Sequence, residues 1–173
     1  MKIIVRNADG VVVHIANNAS FETGYLVADN VSDFSLNSSN TTVYDAVVPS
    51  GFQRGMTYSV FQAMQTMNAL FAAGLVLTSS GTPALNGTYS LTDTAQKNVS
   101  GIVTGIAAGL GLPGGGTTFQ YLDASNQPHT FDQAHFTAFV SAFRNFIYAC
   151  DIALATIQNG GTATFPSNQV LIA

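Results

Sequence analysis

The fold is decided by residues 117–159, TTFQYLDASNQPHTFDQAHFTAFVSAFRNFIYACDIALATIQN, in which a short hairpin leads directly into a long helix. The hairpin is predicted over Thr118–Leu122 and Gln127–Phe131, because β-prone residues flank a turn of small and polar ones. Asp132 occupies the N-cap position of the helix, which we expect to run to Gln158. A helix of that length spans about 40 Å.

Apolar side chains recur on this helix at alternating spacings of four and three residues. That spacing gives a narrow apolar stripe, which is typical of a helix that packs against another helix. A shorter stripe is predicted on a helix over residues 57–73, which begins at the N-cap Thr57 and which Gly74 ends. The side chains that we predict as packing or interface seams are Val60, Met64, Met67, Phe71, Phe136, Phe139, Val140, Phe143, Phe146 and Ile147.

A further helix is predicted between these two, with Thr92 as its N-cap and Asp93 favourably placed at the positive end of the helix dipole. Three glycines repeat on one of its faces at a spacing of four residues: Gly101, Gly105 and Gly109. Each glycine weakens a helix by roughly 1 kcal/mol relative to alanine. We therefore expect another backbone to approach these three positions closely.

The first fifty residues are rich in short β-prone runs. Two of them, Lys2–Arg6 and Val11–Ala16, flank the turn Asn7-Ala8-Asp9-Gly10 and predict a hairpin. Three more short strands are predicted at Tyr25–Ala28, Phe34–Leu36 and Thr41–Val48. These runs together predict a small β module at the N-terminal end of the chain.

The sequence as a whole predicts an α+β fold. We expect the β module over residues 1–50, a linker over residues 51–56, and an α+β domain of about three helices with short β-hairpins over residues 57–173. The end of that domain, Val170-Leu171-Ile172, is apolar, and we expect it to dock on the body of the protein or on a neighbour.

The chain is poor in charged side chains. They make up 8% of its 173 residues, against roughly 25% in typical globular proteins. The net charge is −4, and the five Lys and Arg residues are scattered, which argues against nucleic acid as a partner. Low charge weakens the repulsion that keeps proteins apart, so we interpret the composition as a sign of assembly. We expect no signal peptide and no apolar run long enough to span a bilayer.

Motifs for cofactor binding and catalysis give no consistent pattern. Residues 109–114 match Gly-x-Gly-x-x-Gly, but they follow a predicted helix and precede a hairpin, the reverse of the dinucleotide-binding context. His129, Asp132 and His135 lie close enough in sequence to suggest a metal, yet Asp132 already caps a helix and no fourth ligand is evident. Cys150 fits a small buried hydrophobe. We expect no cofactor, no metal and no enzymatic activity.

Four tyrosines suggest an alternative function, the binding of a sugar. They are predicted as exposed aromatics that could stack on sugar rings: Tyr25, Tyr44, Tyr89 and Tyr121. Tyrosines in short strands, however, commonly pack across the sheet.

The sequence resembles a family at four places: Asn86-Gly87-Thr88-Tyr89, the helix from Asp93, the hairpin with Phe119–Asp123 and Pro128–Asp132, and the Phe-rich helix ending at Ile157. This order of strand, helix, hairpin and long amphipathic helix is similar to the uncharacterised C-terminal domain of bacteriophage tail, tail-fibre and tail-fibre-assembly proteins. The opening Met1–Val5 also resembles the start of many phage tail proteins. The resemblance implies a place in the virion tail and no catalytic signature.

These observations predict a tail-associated structural protein of the virion, made in the host bacterial cytoplasm. Its expected partners are other tail proteins and further copies of itself in a symmetric homo-oligomer. The helix seams would lie at such contacts, or they would pack on each other within one monomer. An assembly chaperone for tail fibres and a module that binds host sugars remain as alternatives.

Overall fold

The computed structural model describes residues 2–6, 8–16, 41–45, 47–53 and 55–173. The predicted strands Tyr25–Ala28 and Phe34–Leu36 lie outside these residues. Within them the chain is a mixture of helices and short strands in small sheets, which confirms the predicted α+β class.

The described residues contain three α-helices and eight strands. The helices are α1 (Tyr58–Ala73), α2 (Asp93–Ala107) and α3 (Gln133–Gln158). The strands are β1 (Lys2–Arg6), β2 (Val12–Ala16), β3 (Thr41–Asp45), β4 (Leu75–Ser79), β5 (Gly87–Tyr89), β6 (Thr118–Leu122), β7 (Pro128–Asp132) and β8 (Gln169–Ile172).

The chain forms two compact units, residues 1–66 with 157–161 and residues 67–156 with 162–173. The division therefore falls inside α1, beyond the linker predicted at residues 51–56. In the first unit, β1 lies between β2 and β3 and pairs antiparallel with both. This arrangement confirms the predicted N-terminal hairpin. A small apolar cluster in the same unit comprises Val12, Phe52, Val60 and Phe61.

In the second unit, β4 is the central strand of a three-stranded sheet. It pairs antiparallel with β5 and parallel with β8. The predicted apolar end of the chain is thus a strand of its own domain, where Ile172 is buried and Leu171 is exposed. Strands β6 and β7 form the predicted hairpin, which leads directly into α3.

Aromatic rings fill the core of the second unit. The ring centroids of Tyr89 and Phe139 lie 4.8 Å apart, and those of Phe119 and Phe136 lie 4.9 Å apart. Phe131, Phe136 and Phe139 are completely buried. The hairpin and one face of α3 therefore share a single aromatic core, because aromatic rings attract one another at these separations.

Helix ends follow local sequence signals. The Thr92 side chain accepts a hydrogen bond from the Ala95 amide, and the Asp132 carboxylate accepts one from the His135 amide. Gly74, which follows α1, has a φ of +79°, as a glycine at this position commonly does. One boundary was predicted wrongly: α2 ends at Ala107, so Gly109 and Leu110 are not helical and Leu110 is 78% exposed.

Candidate functional site

The predicted seam of α3 lies in the core of the second unit. Five of its members are buried there, and the sixth, Ile147, is half-buried against that core. The buried members are Phe136, Phe139, Val140, Phe143 and Phe146. This face of α3 is consequently covered within the second unit, where Phe136 packs against Phe119 and Phe131 of the hairpin.

The predicted seam of α1 is shared between the two units. Val60 is buried and Met64 is half-buried, both within the small cluster of the first unit. Met67 and Phe71 are half-buried against the core of the second unit, where the Phe71 ring lies 6.4 Å from the ring of Phe146. These side chains, too, have partners within the chain.

The three predicted close-approach glycines have open space around them. A Cβ atom added at Gly101, Gly105 or Gly109 would meet no atom within 4 Å among the described residues. The close approach is therefore not made by the described part of this chain, and approach by another molecule stays a prediction.

A groove runs between α2 and α3, and we call it the α2–α3 groove. It consists of two adjoining cavities of about 530 and 480 Å³ that share Val103, Val140, Arg144 and Tyr148 in their linings. Apolar side chains of both helices form much of the lining, and Arg144 borders both cavities. The groove thus combines an apolar surface with one cationic group.

The face of α3 turned away from the core is exposed, and we call it the α3 ridge. Two large apolar side chains stand on it, Tyr148 with 67% and Ile152 with 49% of their surface exposed. The ridge comprises Thr137, Ser141, Arg144, Asn145, Tyr148, Asp151, Ile152 and Ala155. The regular apolar stripe in the sequence does not reveal this face, because that stripe forms the core.

The length and hydropathy of α3 also meet the criteria for a membrane-spanning helix, contrary to the expectation from the sequence. Its most apolar window has a mean hydropathy of 1.3, and 33% of that window is buried. The core helix of a soluble protein can meet the same criteria. Because the phenylalanine face of α3 lies in the aromatic core, we assign the helix to the fold of the domain.

Arg144 and Asp151 are the only Lys, Arg, Asp or Glu residues of α3. Both are exposed and line the α2–α3 groove, and neither forms an ion pair within the part of the chain that the structure describes. They are seven residues apart, so about 10.5 Å of helix separates them. That distance is too large for them to pair with each other.

His129, Asp132 and His135, whose spacing in the sequence could suggest a metal, do not form one cluster of ligands. Each histidine is paired with a different aspartate, His129 with Asp123 and His135 with Asp132. Among the described residues, no three His, Cys, Asp or Glu side chains are placed to hold a metal ion.

Both pairs hold the 3-10 turn at Pro83–Leu85 instead. His129 Nδ1 lies 2.7 Å from the Ala84 carbonyl oxygen, so this nitrogen is the donor, while Nε2 lies 3.4 Å from Asp123 Oδ2. A Cβ atom at Gly87 would come within 3.1 Å of His129 Nε2, which favours glycine there. Hydrogen bonds from the Gln127 and Ser125 amides lower the pKa of Asp123.

The second pair forms a row of carboxylate, imidazole and hydroxyl. Asp132 Oδ1 lies 2.8 Å from His135 Nδ1, and His135 Nε2 lies 3.2 Å from Thr82 Oγ1. Such a row can activate a hydroxyl group when it borders a substrate cavity. The α2–α3 groove does not reach Thr82 or His135. We therefore interpret the row as an attachment between the start of α3 and the 3-10 turn.

The tyrosines predicted as exposed are partly internal. Tyr89 is buried, with its hydroxyl donating to the Leu85 carbonyl oxygen at 2.7 Å, and Tyr121 is half-buried. The side chains of Tyr25 and Tyr44 lie outside the described part. Tyr121 borders a third cavity, of about 650 Å³, together with the polar side chains of Asn98 and Gln120.

Cys150 is buried in the aromatic core, and burial raises the pKa of its thiol to about 11. A thiol in this state is protonated at neutral pH and is a poor nucleophile.

Comparison with known proteins identifies one family. Residues 63–160 match the model of a domain of unknown function, DUF4376, which covers more than half of the chain. No curated protein and no solved structure matches the chain. The matched segment includes α2, the hairpin of β6 and β7, and α3, and therefore both the groove and the ridge. The chain belongs to the DUF4376 family.

Proposed function

We propose that this protein is a non-enzymatic structural component of a bacteriophage tail that acts through contacts with other proteins. The tail setting rests on the resemblance of its strand, helix and hairpin pattern to phage tail domains. The contact function is supported chiefly by the α3 ridge, where Tyr148 and Ile152 are exposed beside an apolar groove. Exposed apolar patches of this kind commonly mark interaction sites.

The chemistry of the groove suits a protein segment better than a small polar substrate. Val103, Ile106 and Val140 supply apolar surface, and Arg144 is a cation that can fix the orientation of a carboxylate. An amphipathic helix binds in such grooves through side chains spaced three and four residues apart. We therefore expect a segment that binds in this groove to combine apolar side chains with an acidic one.

Quantitative mass spectrometry of purified phage particles tests the tail assignment. A structural component is present at a fixed, stoichiometric ratio to other tail proteins in mature particles. If the protein is absent from mature particles but bound to fibre subunits during infection, it is an assembly chaperone, and the structural assignment is wrong.

Substitution of the ridge tests the contact surface. We expect Tyr148→Ala combined with Ile152→Ala to reduce incorporation into particles at least ten-fold, because central exposed aromatics contribute most to interfaces. Leu110→Ala is the matched control, since Leu110 is a similarly exposed apolar side chain outside the groove. Thermal unfolding of all variants should match that of the wild type. Full incorporation of the ridge variant would refute the proposed surface.

One observation favours a second candidate function, the binding of a host sugar. The third cavity combines the aromatic ring of Tyr121 with the amides of Asn98 and Gln120, a combination that can stack on and hydrogen-bond to a sugar ring. Binding to a glycan array that is lost in Asn98→Ala and Gln120→Ala, but kept in the exposed control Thr130→Ala, would support it. An array on which the wild type binds no glycan would exclude it for the glycans displayed.

A further inference from the structure

The charges of α3 are complementary to their own copy. Arg144 and Asp151 are separated by seven residues, which is almost two full turns, so they lie on the same side of the helix, about 20° apart around its axis. In the described part of the chain neither has a partner of opposite charge. A helix with one cation and one anion placed this way can pair with an identical helix that runs in the opposite direction.

We infer that the partner of the α3 ridge is a second copy of this chain, packed antiparallel about a two-fold axis that passes near Ile147 and Tyr148. This inference rests on the proposed contact function and names its partner. The axis reverses the direction of the second α3 and keeps its charges on the same side of the interface. Arg144 of each copy then faces Asp151 of the other, and two ion pairs form at once.

A parallel arrangement is disfavoured by the same two residues. It would place Arg144 against Arg144 and Asp151 against Asp151 of the second copy, and like charges that face each other repel. The charges therefore decide the orientation of the two helices, and isologous pairing of this kind is the commonest symmetry among oligomers.

The remaining residues of the ridge fit the same axis. Tyr148 lies beside it, so the two exposed tyrosine rings meet at the centre of the interface, where aromatic side chains contribute most. Ser141 and Ala155 lie seven residues before and after Tyr148. The axis places Ser141 of one copy near Ala155 of the other, and two small side chains allow the helices to approach closely.

The dimensions of the ridge indicate a weak dimer. The segment Thr137–Ala155 is about 27 Å long, and with a helix diameter of about 10 Å it offers on the order of 300 Å² per copy. Stable interfaces bury about 800 Å² per partner, so this one belongs to the weak class. We expect a dissociation constant on the order of 10–100 µM, strengthened by high local concentration when many copies assemble.

Charge exchange combined with analytical ultracentrifugation over about 5–500 µM tests the inference. Arg144→Glu and Asp151→Arg should each weaken the dimer about ten-fold or more, because each change turns two attractions into two repulsions. The double variant should dimerise like the wild type. An equimolar mixture of the two single variants should also dimerise, since each pair across that mixed interface joins opposite charges.

A disulfide cross-link tests the position of the axis. Tyr148→Cys should form an oxidised dimer readily, since both new thiols lie next to the axis, whereas Leu110→Cys serves as the exposed control and should not. Cys150 does not compete because it is buried. A wild type that is monomeric at about 500 µM would overturn the inference. So would a dissociation constant that does not change in the charge-exchange variants.

The two proposals fail separately. If the charge-exchange series shows no dimer while Tyr148→Ala with Ile152→Ala still blocks incorporation into particles, the contact function stands with another partner. If the dimer follows the charge pattern but the protein is absent from particles, the two-fold pairing stands and the tail assignment is wrong.

Discussion

Replacement of Tyr89 by phenylalanine isolates one buried hydrogen bond in the second unit. The Tyr89 side chain is 1% exposed, and its hydroxyl donates to the Leu85 carbonyl oxygen at 2.7 Å. Tyr89→Phe keeps the ring contacts and removes the donor, so the carbonyl oxygen of Leu85 loses this hydrogen bond inside the protein. The loss of such a bond costs about 1 to 2 kcal/mol of unfolding free energy.

Urea unfolding, followed by circular dichroism, measures this cost directly. In a chain of this size it corresponds to a decrease in melting temperature of about 2 to 8 °C. Tyr148→Phe is the matched control, because Tyr148 is 67% exposed and should change stability by less than about 0.5 kcal/mol. Equal losses in the two variants, or no loss in Tyr89→Phe, would refute the assigned role of the buried hydroxyl.

Three further predictions concern backbone conformation and pH. Gly74→Ala should lower the free energy of unfolding by at least about 1 kcal/mol more than Gly109→Ala. Both glycines have positive φ, but only at Gly74 would the new Cβ lie 2.8 Å from the Tyr89 carbonyl oxygen. Urea unfolding midpoints of the two variants measure the difference. Asp132→Asn should lose less unfolding free energy than the wild type between pH 5 and pH 2. A hydrogen bond from the His135 amide lowers the pKa of Asp132, so the stabilising contribution of this carboxylate is lost as pH falls through that pKa. Burial raises the pKa of Tyr89 and of Tyr121, so the free energy of unfolding should fall as pH rises above about 10. Tyr89→Phe should reduce this loss in urea unfolding measured between about pH 8 and pH 11.

The elements that were predicted well depend on local signals. Thr92 and Asp132 are N-caps in the structure as in the sequence, because a capping side chain acts on amides only a few residues away. The hairpin and α3 were also anticipated, since alternation and three–four spacing report directly on strand and helix. Each of these signals depends only on residues that are close together in the sequence.

The features that were missed depend on distant partners or on competing backbone geometry. The pairing of β8 with β4 could not be read from Val170-Leu171-Ile172, because a strand that joins a sheet in parallel carries no local sign of its neighbour. Gly109 was placed in α2 by its four-residue spacing, whereas its φ of +78° shows that the helix has already ended. Tyr89 was predicted as exposed because a three-residue strand is too short to show which face is buried.

The candidate site was only partly visible in the sequence. The seam residues were found, but most of them form the core, and the exposed ridge of α3 was overlooked. One signal was present in the sequence: Arg144 and Asp151 stand alone on a long apolar helix at a separation of two turns. Isolated charges on such a helix indicate a face that is not core, and their sign and spacing indicate whether that face can pair with its own copy.

The three-stranded sheet of the second unit can be completed only late in the synthesis of the chain. The Asn168 side chain donates to the Gly74 carbonyl oxygen, and these residues are 94 positions apart. At a synthesis rate of about 5–20 residues per second, β8 is synthesised roughly 5 to 20 s after β4. During that interval one edge of β4 has unpaired amide and carbonyl groups, which can bind a strand from another nascent chain. Translation speed, rather than final stability, therefore sets how long each newly made molecule is exposed to mispairing.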